Sequence, residues 1–300
     1  MLTFILARFP NYLITTLSLL ALVCLSPLAQ AQTFLGGTYV RSEVRFDGSD
    51  FTSYHFSRKP DNRKGVVKAK YFAKDANEQF ARWKNNKRIL YYCSGAFSIS
   101  WDSDSPPLGI CVDNGEIVNR DLDATMDGLI IVYNGGAQAG GIAVINLDKE
   151  KVTTKNNGVA TTYNLRDRTD RYQFLKWAED NDATVFQTQL MYTKSYGYGF
   201  SKERMTYGNK ATRRFLGICI RKGVVYHVVV DYSESDYLNR AADKVTRYLT
   251  DSMGYDVIGL FNLDTGGKDI MKAYNDQGNE IDSGDYQVDI ATNLLVYYVE

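Results

Sequence analysis

Asn262 and Asp264 stand two residues apart at the end of the apolar run Asp256-Val257-Ile258-Gly259-Leu260-Phe261 and are followed by Thr265-Gly266-Gly267. Strand side chains alternate with a period of two, so a buried strand running out into these polar residues fixes both on one face. The glycines let the backbone turn and bring N–H groups close to a bound anion. That combination suits acid/base work beside an anionic group. A second stretch, Tyr91-Tyr92-Cys93-Ser94-Gly95-Ala96-Phe97, reads as a strand entering a turn of small residues, with Gly109 to Gly115 shortly after it. Either stretch alone also describes an ordinary strand and turn. His227 lies in Val224-Val225-Tyr226-His227-Val228-Val229-Val230-Asp231, on the face that carries Asp231. An acid/base pair there competes with a histidine held by hydrogen bonds inside a sheet, and the second reading is preferred.

What is missing excludes several chemistries. His55 and His227 are the only histidines, and neither His-Glu-x-x-His nor a paired Cys-x-x-Cys occurs, so zinc hydrolase and zinc-ribbon geometries lack ligands. Asp is plentiful enough for a hard cation, but the EF-hand spacing is absent. There is no Gly-x-Ser-x-Gly elbow and no Gly-x-x-x-x-Gly-Lys-Ser/Thr loop. No metal site and no cofactor is expected. Gly135, Gly136, Gly140 and Gly141 read as a hairpin loop, because a strand-like segment follows where a phosphate cradle needs a helix. The tyrosine-rich stretch 192–207 offers either ring faces for sugar stacking or exposed loop tyrosines without a ligand. The chain of 300 residues has 35 basic and 35 acidic side chains, which leaves no net charge for gripping phosphates, so no nucleic-acid partner is expected.

These residues need elements to position them. Segments rich in β-branched and aromatic residues, bounded by Gly, Asn or Asp, read as strands at 38–46, 65–72, 88–93, 128–133, 141–147, 184–192, 213–221, 224–231, 255–263 and 294–299. Three helices interrupt them. In 236–252, Leu238, Ala241, Ala242, Val245, Tyr248 and Leu249 form a core stripe at helical spacing, and Gly254 supplies the stop. Segments 75–85 and 170–181 are shorter, the second with Phe174, Trp177 and Ala178 on one side. The reading is an α+β fold in a single domain: a large mixed, mostly antiparallel twisted sheet with a few covering helices.

Residues 1–31 read as a cleavable signal peptide. Arg8 precedes the apolar run from Thr15 to Leu25, Pro27 ends it, and Ala29-Gln30-Ala31 is the small-x-small pattern a signal peptidase reads. The run falls short of the roughly 20 residues a membrane helix needs, so no stable membrane span is expected after cleavage. The mature protein is expected to be secreted or periplasmic, where thiols oxidise. Cys24 leaves with the signal. Cys93 and Cys111 are the disulfide candidates by proximity, with Cys219 left over; the preferred alternative is three small buried hydrophobes.

In their order along the chain, these segments resemble the phosphodiester glycosidase family, whose members release a sugar from a sugar-phosphate diester. The family's Asn-Gly-Gly-aromatic turn resembles Ser94-Gly95-Ala96-Phe97, and its following Pro, Gly and short strand resemble Pro107-Leu108-Gly109 through Gly115. A Gln before a short apolar stretch is matched by Gln187 to Met191, and an Arg-x-x-x-Gly strand by Arg213-Arg214-Phe215-Leu216-Gly217, with the next strand ending in Asp231. The amphipathic helix then leads to Asn-Leu-Asp-Gly-Gly-Gly-Ser, matched by Asn262-Leu263-Asp264-Thr265-Gly266-Gly267-Lys268. The similarity spans about residues 88–270. Ser94, Thr265 and Lys268 depart from the pattern: Thr265 adds a Cβ where the family has glycine, and Lys268 adds a cation.

With the signal peptide at 1–31 set aside, the chain divides into N-terminal strands and a short helix at 32–87 joined to the main domain, and, as the resemblance implies, a phosphodiester glycosidase-like domain at 88–300. The resemblance also implies roles. Asp264 and Asp231 are the candidate catalytic carboxylates, Asp231 having a strand-end cap as its alternative role. Arg213 would take the phosphate and Gly266 and Gly267 supply backbone donors, with Asn262, Ser94, Gly95, Phe97 and Gln187 completing a site for a carbohydrate or sugar-phosphate substrate. The rival reading is a non-catalytic secreted carbohydrate-binding or envelope-associated protein using the same cleft, favoured by Thr265 and Lys268. A purely structural exported domain is the third.

Overall fold

The computed structural model describes residues 39–59, 65–100, 102, 105–156, 159–198, 209–265 and 269–300. The expected signal peptide lies outside them. Strands β1 (Tyr39–Phe46) and β2 (Ser49–Ser57) are joined by Asp47-Gly48 alone, both at positive φ, 49° and 77°. Two such residues are what a tight hairpin needs, and Asp-Gly adopts that conformation readily.

This hairpin forms one end of a ten-stranded sheet. The order continues through β13 (Val224–Asp236), β12 (Ala211–Arg221), β14 (Asp256–Leu263), β11 (Thr184–Thr193), β5 (Cys111–Asp113) and β6 (Glu116–Asn119). Strands β7 (Gly128–Val132) and β8 (Ile142–Asn146) attach through the first half of β11. A second sheet of five strands runs β16 (Glu280–Ser283), β15 (Met271–Tyr274), β4 (Arg88–Cys93), β17 (Leu294–Val299) and β3 (Lys68–Phe72). Hairpin β9 (Val152–Asn156)–β10 (Val159–Tyr163) stands apart from both. Every pairing between named strands is antiparallel. The α+β reading holds, with two sheets in place of one.

The sheets face each other, and the helices cover their outer sides. Tyr54, Phe56, Leu216, Val229, Phe261 and Leu263 from the large sheet meet Tyr71, Tyr91, Leu295 and Tyr297 from the small one. Phe56 stacks on Tyr297 at 4.0 Å and Tyr71 on Phe186 at 4.2 Å. Such pairs add about 0.5–1.5 kcal/mol each beyond their buried area. Helix α1 (Ala76–Trp83) packs Ala76 and Phe80 against Phe72, Tyr92, Leu294 and Val296 on the outside of the small sheet. Helices α2 (Arg168–Asp180) and α3 (Leu238–Arg247) cover the outside of the large one. The α3 stripe foreseen from Leu238 to Leu249 is buried, the helix ends in a π turn over Tyr248–Ser252, and Gly254 closes it at φ 66°. Among the described residues no helix is long and apolar enough to cross a membrane.

Both sides of the central strands are buried, which explains continuous apolar runs such as Val228-Val229-Val230. Cys93, Cys111 and Cys219 are buried thiols with no disulfide between them, and burial pushes Cys93 up to about 12. His227 packs edge-on against Tyr297, and its Nδ1 is buried without a partner. His55 has Ser53 Oγ at 2.7 Å from Nε2 and Tyr255 OH at 2.9 Å from Nδ1. Burial, with a smaller push from Arg58 on His227 and Arg221 on His55, lowers both imidazoles to about 3. An unfolded histidine titrates near 6.5, so between pH 6.5 and 3 the unfolded chain binds protons that the folded chain refuses. Stability is therefore full above that window and falls as pH drops through it, by about 2 kcal/mol per histidine at pH 5. Asp113, Asp127 and Asp231, pushed up by burial, act the other way. The His227 share is isolated by comparing urea unfolding of the protein and His227→Gln at pH 7 and 5. The variant should lose about 2 kcal/mol less over that interval; equal losses would contradict a neutral buried imidazole.

Candidate functional site

Strand β14 lies between β12 and β11 inside the large sheet, and its end carries the polar pair singled out in the sequence. Asn262 is 1% exposed. Its Nδ2 donates to Gln189 Oε1 on β11 (2.7 Å), its main-chain oxygen accepts from Thr188 Oγ1 (2.6 Å), and its Oδ1 is buried without a hydrogen-bond partner. Asp264 follows, half-buried, and its main-chain N–H donates to Gly95 O at 3.1 Å. One bond thus links the end of β14 in the large sheet to the turn after β4 in the small one. The two stretches with site-like patterns are neighbours in space.

An amide that sequence reasoning missed builds this turn. Asn293, just before β17, is fully buried; its Oδ1 accepts from the N–H groups of Gly95 (2.9 Å) and Ala96 (2.8 Å), and its Nδ2 donates to Ala96 O (2.9 Å). Ser94, buried, donates its N–H to Ile270 O (3.2 Å). A Cβ on Gly95 would come to 3.0 Å from the Tyr71 ring and 3.3 Å from Asn293 Oδ1, so a larger residue there would press on both. The Tyr71 hydroxyl is held well above its ordinary range, first by burial, then by Cys111, Asp113 and Asp264. Phe97, half-buried, leads out of the turn. With the N–H groups of Ser94, Gly95 and Ala96 all occupied internally, the turn supplies shape, not free donors for an anion.

Arg213 and Arg214 adjoin on β12 and so point to opposite faces. Arg214, its side chain 3% exposed, lies between the sheets with Nε 2.5 Å from Asp231 Oδ1 and Nη1 3.0 Å from Asp269 Oδ1; Ile270 O is 3.4 Å from Nη1. Burial opposes its charge, but Asp231, Tyr91, Cys93 and Asp269 outweigh it and raise its pKa. Asp231 was expected at a strand end. Strand β13 continues to Asp236, which makes Asp231 an internal residue directly across from Arg214, its carboxylate engaged by that guanidinium. Arg213 stands elsewhere: its Nη2 donates to Asn209 O (2.8 Å), its Nε is buried without a partner, and burial lowers its pKa. Arg213 and Asp264 hold adjoining places just beyond the Arg214↔Leu263 pair, and Thr265 Oγ1, 3.4 Å from Thr212 O, continues that alignment.

Gln187 is fully buried and has no group left for a substrate. Its Oε1 accepts from Ile110 N (3.1 Å) and Asp123 N (3.0 Å), and its Nε2 donates to Asp123 O (2.8 Å) and Met126 O (2.7 Å). It braces the 109–126 segment against β11, and a Cβ on Gly109 would strike its Oε1 at 2.4 Å. Gly266, Gly267 and Lys268, and 199–207 of the tyrosine-rich stretch, lie outside the described residues. Tyr192 and Tyr198, at its start, pack together at 5.4 Å, and Tyr198 Oη donates to Asp243 on α3 (2.7 Å).

The ladder thus sets the place of Asp264 across from Arg213 and two residues beyond Asn262, the main-chain N–H of Asp264 reaches Gly95, and Asp231 and Gln187 are engaged by bonds within the protein. Arg213 Nε, across from the place of Asp264 in the ladder, and Asn262 Oδ1, two residues before it, are a donor and an acceptor without partners. Such orphans are not confined to this place: Tyr91, Tyr297, His227 and Trp177 also carry buried polar atoms without a partner, so the pair identifies no site by itself. Among the described residues no group of three or more His, Cys, Asp or Glu is placed to hold a metal ion.

No protein-family model matches the chain, and no curated protein matches it. Among solved structures it is similar to the catalytic domain of zebrafish N-acetylglucosamine-1-phosphodiester alpha-N-acetylglucosaminidase, auto-inhibited by its pro-peptide, at 13% identity and a TM-score of 0.48, over 92% of this chain and 85% of that one. It is also similar to a hypothetical protein from Synechocystis at 12% identity and a TM-score of 0.44, over 87% of this chain and 62% of the other.

Proposed function

We propose that the protein is an exported hydrolase that cleaves the bond between a sugar's anomeric carbon and a phosphodiester, releasing free sugar and a phosphomonoester. The observation that carries this reading is the hydrogen bond from Asp264 N to Gly95 O, which joins the two stretches whose ordered motifs resemble the phosphodiester glycosidases. A phosphate leaving group is already acidic, so catalysis leans less on a general acid than on stabilising the departing charge. Arg213, with an unpartnered Nε, suits that charge. The Asp264 carboxylate activates water or stabilises the oxocarbenium-like transition state, and Asn262 Oδ1 accepts from a sugar hydroxyl or amide.

A second reading, a binding protein without turnover, draws on Thr265, whose hydroxyl is turned onto Thr212 O where the family has glycine. Incubation of the mature protein with sugar-1-phosphodiesters of several hexoses, scoring free sugar and phosphomonoester, separates the two. Release of both products supports the enzyme; saturable binding with no release supports the second reading and overturns the first.

A further inference from the structure

A groove of about 880 Å³ opens on the outer side of the large sheet, away from Asp264. Its floor is the end of β7, its walls are the end of α2 and strand β9, and its rim is the turn between β5 and β6. Such a volume falls in the range of about 300–1,000 Å³ typical of small-ligand sites. Along β11 it begins at Thr184, five residues before Gln189, which at 3.3 Å per residue sets it about 16 Å from the Asn262 contact.

The lining has a particular chemistry. Asn114, Asn134 and Asn181 contribute amides, Thr153 a hydroxyl, and Tyr133 and Trp177 ring surface. An amide gives and accepts hydrogen bonds at once, as a hydroxyl group does, though the Nδ2 groups of Asn134 and Asn181 are already donated within the protein, the latter to Trp177 O at 2.8 Å. One lysine, Lys155, and one acid, Asp182, cancel, so the groove carries no charge bias toward phosphate or acidic chains. The indole Nε1 of Trp177 is buried without a hydrogen-bond partner, in a residue that otherwise packs on Phe174 at 5.9 Å. Asn134 already sits in a network, its Nδ2 donating to Asp182 O (2.8 Å) and Thr184 Oγ1 (2.7 Å), with Lys70 Nζ 3.4 Å from its Oδ1. Its amide is therefore held in a fixed orientation at the groove lining. Strand β7 is paired on both edges, with β11 and β8, so the floor offers no free edge for an added peptide strand.

We propose that this groove binds a neutral oligosaccharide, as a site separate from the one around Asp264 and independent of the function assigned there. The test titrates the protein, by calorimetry, with four probes: the tetrasaccharides of β-1,4-linked N-acetylglucosamine, β-1,4-linked glucose, α-1,4-linked glucose and β-1,4-linked xylose. At least one should bind. Thr153→Arg, at an exposed strand position, should weaken that probe by about tenfold or more with an unchanged melting temperature, and Asn134→Ala should weaken it likewise while lowering the melting temperature, because its amide also braces Asp182 and Thr184. Asp264→Asn should leave this binding intact. No binding by any probe up to about 10 mM, or binding that neither groove variant weakens, would overturn the proposal. So would binding of an extended Thr/Val peptide in place of the sugars, which would assign the groove to strand addition on the outer edge of β9.

Discussion

Asp264→Asn is expected to lower turnover of a sugar-1-phosphodiester by about 10²–10⁴-fold, the range lost when a positioned acid or base is removed. The substitution keeps shape and removes charge. The link that places residue 264 against the small sheet runs through its main-chain N–H to Gly95 O, so it survives the change, and circular dichroism and the urea midpoint should match the parent. Loss of rate with the Michaelis constant little changed would assign the carboxylate to the transition state; a raised constant with an unchanged rate would make it a binding group. Asp231→Asn supplies the contrast. That carboxylate is engaged by Arg214, so its loss should appear first as lowered stability. A variant at 264 that keeps more than about a tenth of the rate would remove Asp264 from the mechanism.

The parts of this arrangement that could be seen in advance are local ones. The α3 stripe, with Ala241, Ala242 and Val245 at helical spacing, and the aromatic and β-branched strands 88–93, 224–231 and 294–299 were legible because each is decided by a few adjacent side chains. Strand β2 was missed, since Ser49, Thr52, Ser53 and Ser57 dilute its apolar pattern, although Asp47-Gly48 ahead of it is a strong hairpin signal. Strands β5, β6, β15 and β16 have three or four residues each and owe their conformation to their partners. The division into two sheets was hidden for a related reason: β4 pairs with β15 and β17, from the far end of the chain, and composition does not encode such pairings. The two arginines show the limit most clearly. With Phe215 and Cys219 buried on one face of β12 and Leu216 and Ile218 on the other, period two does not distinguish them. Nothing in the spacing could tell that Arg214 meets carboxylates between the sheets while Arg213 does not share that face. Asn293, a lone amide before a strand, gave no pattern at all.

Arg214 carries the largest expected effect on stability. Arg214→Met should destabilise the fold by about 3 kcal/mol, the low end for a broken buried pair, because the guanidinium leaves and Asp231, its side chain 20% exposed, stays between the sheets without its partner. Asp269, more than a third exposed, keeps water on its other side and contributes little to the loss. The carboxyl of Asp231 is already pushed up by burial against the pull of Arg214. Without that pull it rises further, so the folded variant binds a proton more readily than the unfolded chain, and its deficit should narrow as pH falls from 7 toward 5. A double variant, Arg214→Met with Asp231→Leu, removes both charges at similar volume and should recover most of the loss, as an apolar pair can replace a buried ion pair. Urea unfolding of the three proteins at two pH values decides the matter. A single variant within about 1 kcal/mol of the parent, or a double variant less stable than the single, would show that the pair is not what holds this face closed. The consequence reaches the candidate site as well: Ile270 O accepts from Ser94 N and lies beside Arg214 Nη1, so the guanidinium steadies the start of β15 against the turn that meets Asp264.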